Sequence, residues 1–69
     1  MPIYMAPENQ ILSILKITGT DKMKKHLENL GFVPGAEVMV TNHVNNNVII
    51  KIKGVSLAVS HDLAKRIIV

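Results

Sequence analysis

β-branched residues that recur at every second position most constrain the fold of this sequence. Nine Ile and eight Val stand against six Leu among 69 residues, and β-branched side chains favour strands over helices. In residues 48–53, Val48, Ile50 and Ile52 alternate with Ile49 and two lysines. Alternation of this kind is typical of a strand with one buried face. The sequence therefore predicts a mainly β protein.

Four other segments carry strand signals. Val38 and Val40 share one face of a strand, and Val55, Leu57 and Val59 form the inward set of another. The predicted strands that complete the set are the first, Gln10–Ile17, and the last, Ile67–Val69. Apolar residues of the first strand break the alternation, which indicates burial on both faces or a bulge.

One segment has the helical period. Met23, His26, Leu27 and Leu30 fall at i, i+3, i+4 and i+7, which places them on one stripe of an amphipathic helix. Thr20 and Asp21 both suit the N-cap. A helix is expected at about residues 21–30, between the first and second strands. Turn residues follow the helix and separate the later strands, and these are Gly31, Pro34, Gly35 and Gly54.

Five short strands and one helix amount to one domain, residues 1–69. A sheet this small leaves exposed edges unless it closes, so we expect a small, partly open barrel of the SH3 or OB type. No Cys is available for a disulfide or a thiolate site. The longest apolar run, Ile3–Ala6, is far shorter than the roughly 20 residues of a membrane span. We therefore expect a cytoplasmic protein without membrane insertion.

An ordered set of residues resembles the FeoA family of small ferrous iron transport proteins. The helix ends in Leu27, Leu30 and Gly31, followed by Phe32, and Pro34-Gly35 then precedes the strand of Val38 and Val40. Further on, Gly54 precedes Leu57-Ala58-Val59, and Ala64, Ile67 and Val69 resemble the closing segment of the family. The resemblance covers roughly residues 5–69.

This resemblance implies an SH3-like barrel that assists ferrous iron uptake by contact with FeoB, a permease with a cytosolic GTP-binding domain. No phosphate loop or nucleophile elbow is present, so we expect no enzyme. Candidate contact residues are Lys22, Lys25 and Asn29 on the helix, and Phe32. For Phe32 core packing is favoured over a partner contact, because Phe is among the residues most often fully buried. The basic residues would assist docking to an acidic surface.

Two other functions stay open. A basic barrel with a sequence pI near 9.5 fits nucleic-acid binding, although Tyr4 and Phe32 supply few aromatic rings for stacking on bases. The iron-dependent transcriptional repressors carry a related C-terminal domain, so a stand-alone relative of that domain is the second alternative.

Metal binding has only weak support in the sequence. His43, His61 and Asp62 are the weak candidate ligands. A preformed structural zinc site normally has four ligands, which is more than these three residues supply. We expect no required cofactor. Weak surface binding of a divalent transition metal and weak self-association are left open.

Overall fold

The β-branched segments form six strands, one more than expected. A computed structural model describes residues 1–69, and in chain order its elements are a 3₁₀ turn (Ile3–Met5), β1 (Ile11–Ser13), β2 (Lys16–Ile17), α1 (Asp21–Asn29), β3 (Glu37–Val44), β4 (Asn47–Ile52), β5 (Val55–Ser60), α2 (His61–Ala64) and β6 (Ile67–Ile68). The extra strand arises because the expected first strand is divided. The four-residue helix α2 lies one residue before the single helical turn that Asp62–Lys65 suggest in the sequence.

The divided segment connects two antiparallel sheets. The larger sheet has the order β1-β3-β4-β5, and the smaller one pairs β2 with β6. Between β1 and β2, Ile14 N–H donates to the Ala36 carbonyl at 2.9 Å, whereas Leu15 N–H donates to the Ile68 carbonyl at 2.7 Å. The chain therefore passes from one sheet to the other at these two residues. This transfer accounts for the broken alternation, because Ile14 is buried and Leu15 is 66% exposed.

Backbone pairing also joins the two ends of the chain. The Met1 amino group donates to the Val69 carbonyl at 2.8 Å, and Val69 N–H donates to the Met1 carbonyl at 2.8 Å. Pro2 forms an isolated bridge with Ile68. The N-terminal segment thus lies beside the smaller sheet, and its Ile3 is fully buried.

One apolar core fills the space between the sheets and the helices. No polar or charged residue is buried. The buried residues are Ile3, Ala6, Ile14, Leu27, Phe32, Val38, Val40, Val48, Ile50, Ile52, Val59, Ala64 and Ile67. Every inward residue predicted for β3 and β4 is in this set. Of the inward residues predicted for β5, Val59 is in this set and Leu57 is half-buried. Val55 is 55% exposed, because it begins the edge strand directly after the Lys53–Gly54 turn.

The helix α1 occupies the predicted segment and is one residue shorter at its end. Thr20 caps it, since its Oγ1 accepts from the Met23 N–H at 3.2 Å. At the other end, Phe32 N–H donates to the Leu27 carbonyl and Gly31 N–H donates to the Glu28 carbonyl. These are the two bonds of a Schellman motif, with Gly31 at φ +99°. Leu27 and Phe32, the apolar pair that accompanies such a cap, are both fully buried.

A second turn leads into the larger sheet. Ala36 N–H donates to the Val33 carbonyl at 3.0 Å, and Gly35 has φ +89°. With Pro34 at the second position, this is the arrangement of a type II turn. Gly35 N–H also donates to the Ile14 carbonyl at 2.8 Å, so the turn is fixed against the segment that connects β1 to β2.

We expect Gly31→Ala to destabilise the domain by about 1–2 kcal/mol, because an L-residue is strained at this φ. A Cβ at Gly31 would meet only Ile52 Cδ1, at an ordinary 3.6 Å, so the cost is in the backbone and not in packing. Urea unfolding of Gly31→Ala and of Gly31→Asn measures it. Asn tolerates positive φ and should lose less stability than Ala. Equal stability of wild type and Gly31→Ala would contradict the positive φ of Gly31 in the Schellman motif.

Candidate partner-binding surface

The exposed side of α1 carries three of the eight Lys and Arg residues of the domain. Lys22, Lys24 and Lys25 are all exposed, and none of them is in an ion pair. Lys22, Lys25 and Asn29 are spaced i, i+3 and i+7, so they lie on one face of the helix. The structure therefore brings together three of the four contact residues proposed from the sequence.

Phe32, the fourth predicted contact residue, lies in the core. Its relative exposure is 0%, because the Schellman cap turns the chain inwards directly after Gly31. A fully buried ring cannot anchor a partner on the surface. The core-packing alternative is therefore correct, and Phe32 is no longer a contact candidate.

A shallow groove of about 250 Å³ runs between α1, β2 and the turn at Pro34. Lys16 and Lys24 lie on its walls, and Ile17, Val33 and Pro34 provide apolar surface. Val33 is 37% exposed, and Glu28 is the one acidic residue in the lining. We define the basic groove by Lys16, Lys24, Ile17, Val33 and Pro34. It suits a partner segment that combines negative charge with an apolar side chain.

Lys16 lines the groove, although the sequence alone did not indicate it as a contact residue. Lys24 was visible as a member of the polar helix face, but nothing in the spacing of residues places a strand lysine beside the helix. That proximity depends on β2 pairing with β6, where Lys16 lies opposite Ile68. Only the tertiary fold brings Lys16 and Lys24 to one groove.

Two of the three weak metal candidates, His43 and His61, contact Tyr4, and Asp62 pairs with a lysine instead. His43 Nε2 lies 3.1 Å from the Tyr4 carbonyl oxygen, and His43 Nδ1 lies 3.6 Å from Glu8 Oε2. The His61 ring packs against the Tyr4 ring, with 4.2 Å between their centroids. Asp62 is 3.8 Å from Lys65. The structure contains no group of three or more His, Cys, Asp or Glu side chains that could hold a metal ion.

These contacts give the histidines structural roles. His43 on β3 contacts the N-terminal segment through Nε2, which lies within hydrogen-bond distance of the Tyr4 carbonyl oxygen, and the His61 ring packs against Tyr4. With Phe32 buried, Tyr4 is the other aromatic residue of the chain, and its ring is packed against His61. The domain therefore lacks the row of free aromatic rings on which single-stranded nucleic acids stack.

None of the helices has the length and apolar content needed to cross a bilayer.

Comparison with known structures identifies the fold. An iron uptake regulatory protein (FeoA) is similar with a TM-score of 0.86 and 26% identity, and the match covers 96% of this chain and 88% of that one. Stenotrophomonas maltophilia FeoA, solved in complex with zinc and described as an SH3 domain protein, is similar with a TM-score of 0.84 and 20% identity over 99% of this chain and 87% of that one. No curated protein matches the sequence.

The repressor alternative is visible in the same comparison. T. acidophilum IdeR is similar with a TM-score of 0.84 and 24% identity over 97% of this chain. This chain spans only 32% of that protein, so the likeness concerns the fold of one part of it. The FeoA domain model matches residues 1–69. The chain belongs to the FeoA family, as its turn and strand residues predicted.

Proposed function

We propose that this protein is a non-catalytic accessory or regulatory protein of ferrous iron uptake. In this proposal it acts in the cytoplasm by binding the cytosolic part of a FeoB-type GTP-binding permease. The match of the FeoA domain model over residues 1–69 carries the proposal. Relatives described as an iron uptake regulatory protein and as a factor that possibly activates ferrous iron transport support it.

The contact surface in this proposal consists of the basic face of α1, Lys22, Lys25 and Asn29, together with the basic groove. Unpaired lysines at the rim of an interface steer an acidic partner and raise the association rate. The apolar residues of the groove then supply the area that is removed from water when the complex forms. The iron is the cargo of the permease, and no residue of this chain needs to hold it.

Two charge-reversal variants test the surface. Lys22→Glu with Lys25→Glu alters the helix face, and Lys16→Glu with Lys24→Glu alters the groove. Each pair changes the net charge from +3 to −1, since every substitution subtracts two. We expect the association rate with the purified cytosolic part of the permease to fall about tenfold at low salt. The difference should shrink at physiological salt, where the Debye length is about 8 Å.

The matched control is Lys51→Glu with Lys65→Glu, which makes the same charge change away from α1 and the groove. Surface plasmon resonance at two salt concentrations compares the three variants, and thermal melting verifies that each one is folded. We expect the control to bind like wild type. Equal binding by all three variants would contradict the proposed contact surface. If the wild-type protein does not bind the permease, the proposed partner is wrong.

A further inference from the structure

β5 is an edge strand whose outer backbone groups are unpaired. It pairs with β4 alone. His61 N–H donates to the Asn46 carbonyl at 2.8 Å, and these residues extend the β4–β5 register by one position. Because hydrogen-bonded pairs alternate in an antiparallel ladder, Leu57 and its alternate neighbours bond to β4. Ser56 and Ala58 direct their N–H and C=O groups outwards, where no turn, loop or side-chain hydrogen bond reaches them.

The usual protection of an edge strand is missing from β5. Natural edges carry charged side chains, proline or a bulge, or are very short. The six residues of β5, VSLAVS, contain no charge and no proline, and the β4–β5 register has no irregularity. The opposite edge of the sheet, β1, has only three residues. Val55 adds an exposed apolar side chain to the unprotected edge, at 55% exposure.

Opposite charges lie just beyond the two ends of β5. Lys53 is exposed and immediately precedes Gly54 at the start of the strand, while Asp62 follows its end, with a side chain that is 86% exposed. When two identical strands pair antiparallel about a two-fold axis, the start of one lies beside the end of the other. Lys53 of each copy would then approach Asp62 of the partner subunit, so the charge pairing occurs twice.

We propose that β5 is a self-association edge, at which a second copy of this chain adds its own β5 antiparallel and joins the two larger sheets into one. The outward groups of Ser56 and Ala58 would bond to the same groups of the second copy, with Leu57 or Ala58 on the axis. Reciprocal charges at the strand ends favour a second copy over an unrelated strand, because a two-fold interface uses the same residues on both sides.

A charge swap tests the antiparallel arrangement. Lys53→Asp and Asp62→Lys, made singly, each turn two attractive contacts into repulsive ones. We expect each to raise the dimer dissociation constant about tenfold. The double variant restores both attractive contacts with the charges exchanged, so its dimer dissociation constant should lie within about twofold of the wild-type value. Lys53 has φ +50°, which Asp tolerates. Sedimentation equilibrium from micromolar to millimolar protein measures all three variants. Glu37→Lys at the start of β3, an exposed position with the same charge change as Asp62→Lys, should dimerise like wild type.

Backbone probes locate the edge independently of the charges. Ala58→Pro removes one outward N–H, which an edge strand tolerates, and should weaken dimerisation more than tenfold. If this variant does not fold, hydrogen exchange of the wild type decides, because the Ser56 and Ala58 amides should become protected only as concentration rises. A protein that is monomeric up to millimolar concentration overturns the proposal. So does a dimer in which these two amides stay unprotected, or a double charge variant that remains as weak as the single ones.

Discussion

Phe32→Ala is expected to destabilise the domain by about 3–5 kcal/mol, the usual cost of removing a fully buried aromatic ring. Phe32 is the largest of the fully buried side chains. Domains of this size have a total stability of about 3–10 kcal/mol, so much of the variant should be unfolded at 37 °C. Urea unfolding monitored by far-UV circular dichroism measures the loss.

Phe32→Leu is the control for this prediction, since it keeps an apolar side chain in the same place and should cost clearly less. Wild-type stability of Phe32→Ala combined with lost partner binding would be the opposite result. It would mean that Phe32 contacts the partner at the surface, as the sequence allowed, and it would contradict the burial of the ring.

The local conformations of this chain could be predicted because they depend on neighbouring residues. Gly31 and Gly35 adopt positive φ where the chain has to turn, and Thr20 caps the helix that its position indicated. The inward residues of β4 followed from strict alternation. In each case the physical cause acts within a few residues, so a single sequence contains the information.

Predictions were wrong where distant segments decide the outcome. The expected first strand is one apolar segment in the sequence. It is divided in the structure because the Ile14 N–H donates to the Ala36 carbonyl while the Leu15 N–H donates to the Ile68 carbonyl. Val55 continues the alternation of its strand but lies at an edge that the core does not reach. Burial of Phe32 could not be separated from surface exposure by composition alone, because both roles suit an aromatic residue.

The candidate surface was predictable only in part for the same reason. The lysines of α1 lie on its polar face by helical period alone. The groove needs Lys16, which approaches the helix only after β2 has paired with β6. The unprotected edge of β5 likewise depends on the sheet order, since the same six residues would be covered if another strand followed them in the sheet.

Leu27→Ala and Leu30→Ala should differ strongly, although both residues fall on the predicted apolar stripe of the helix. Leu27 is fully buried, whereas Leu30, the C-cap residue that follows α1, is 39% exposed. We expect Leu27→Ala to lose about 2–5 kcal/mol of unfolding free energy and Leu30→Ala less than about 1 kcal/mol. Chemical denaturation of the two variants under identical conditions provides the comparison, with each substitution serving as the control for the other. Equal, large losses would mean that the helix continues past Asn29 and buries Leu30, as helical periodicity alone predicts.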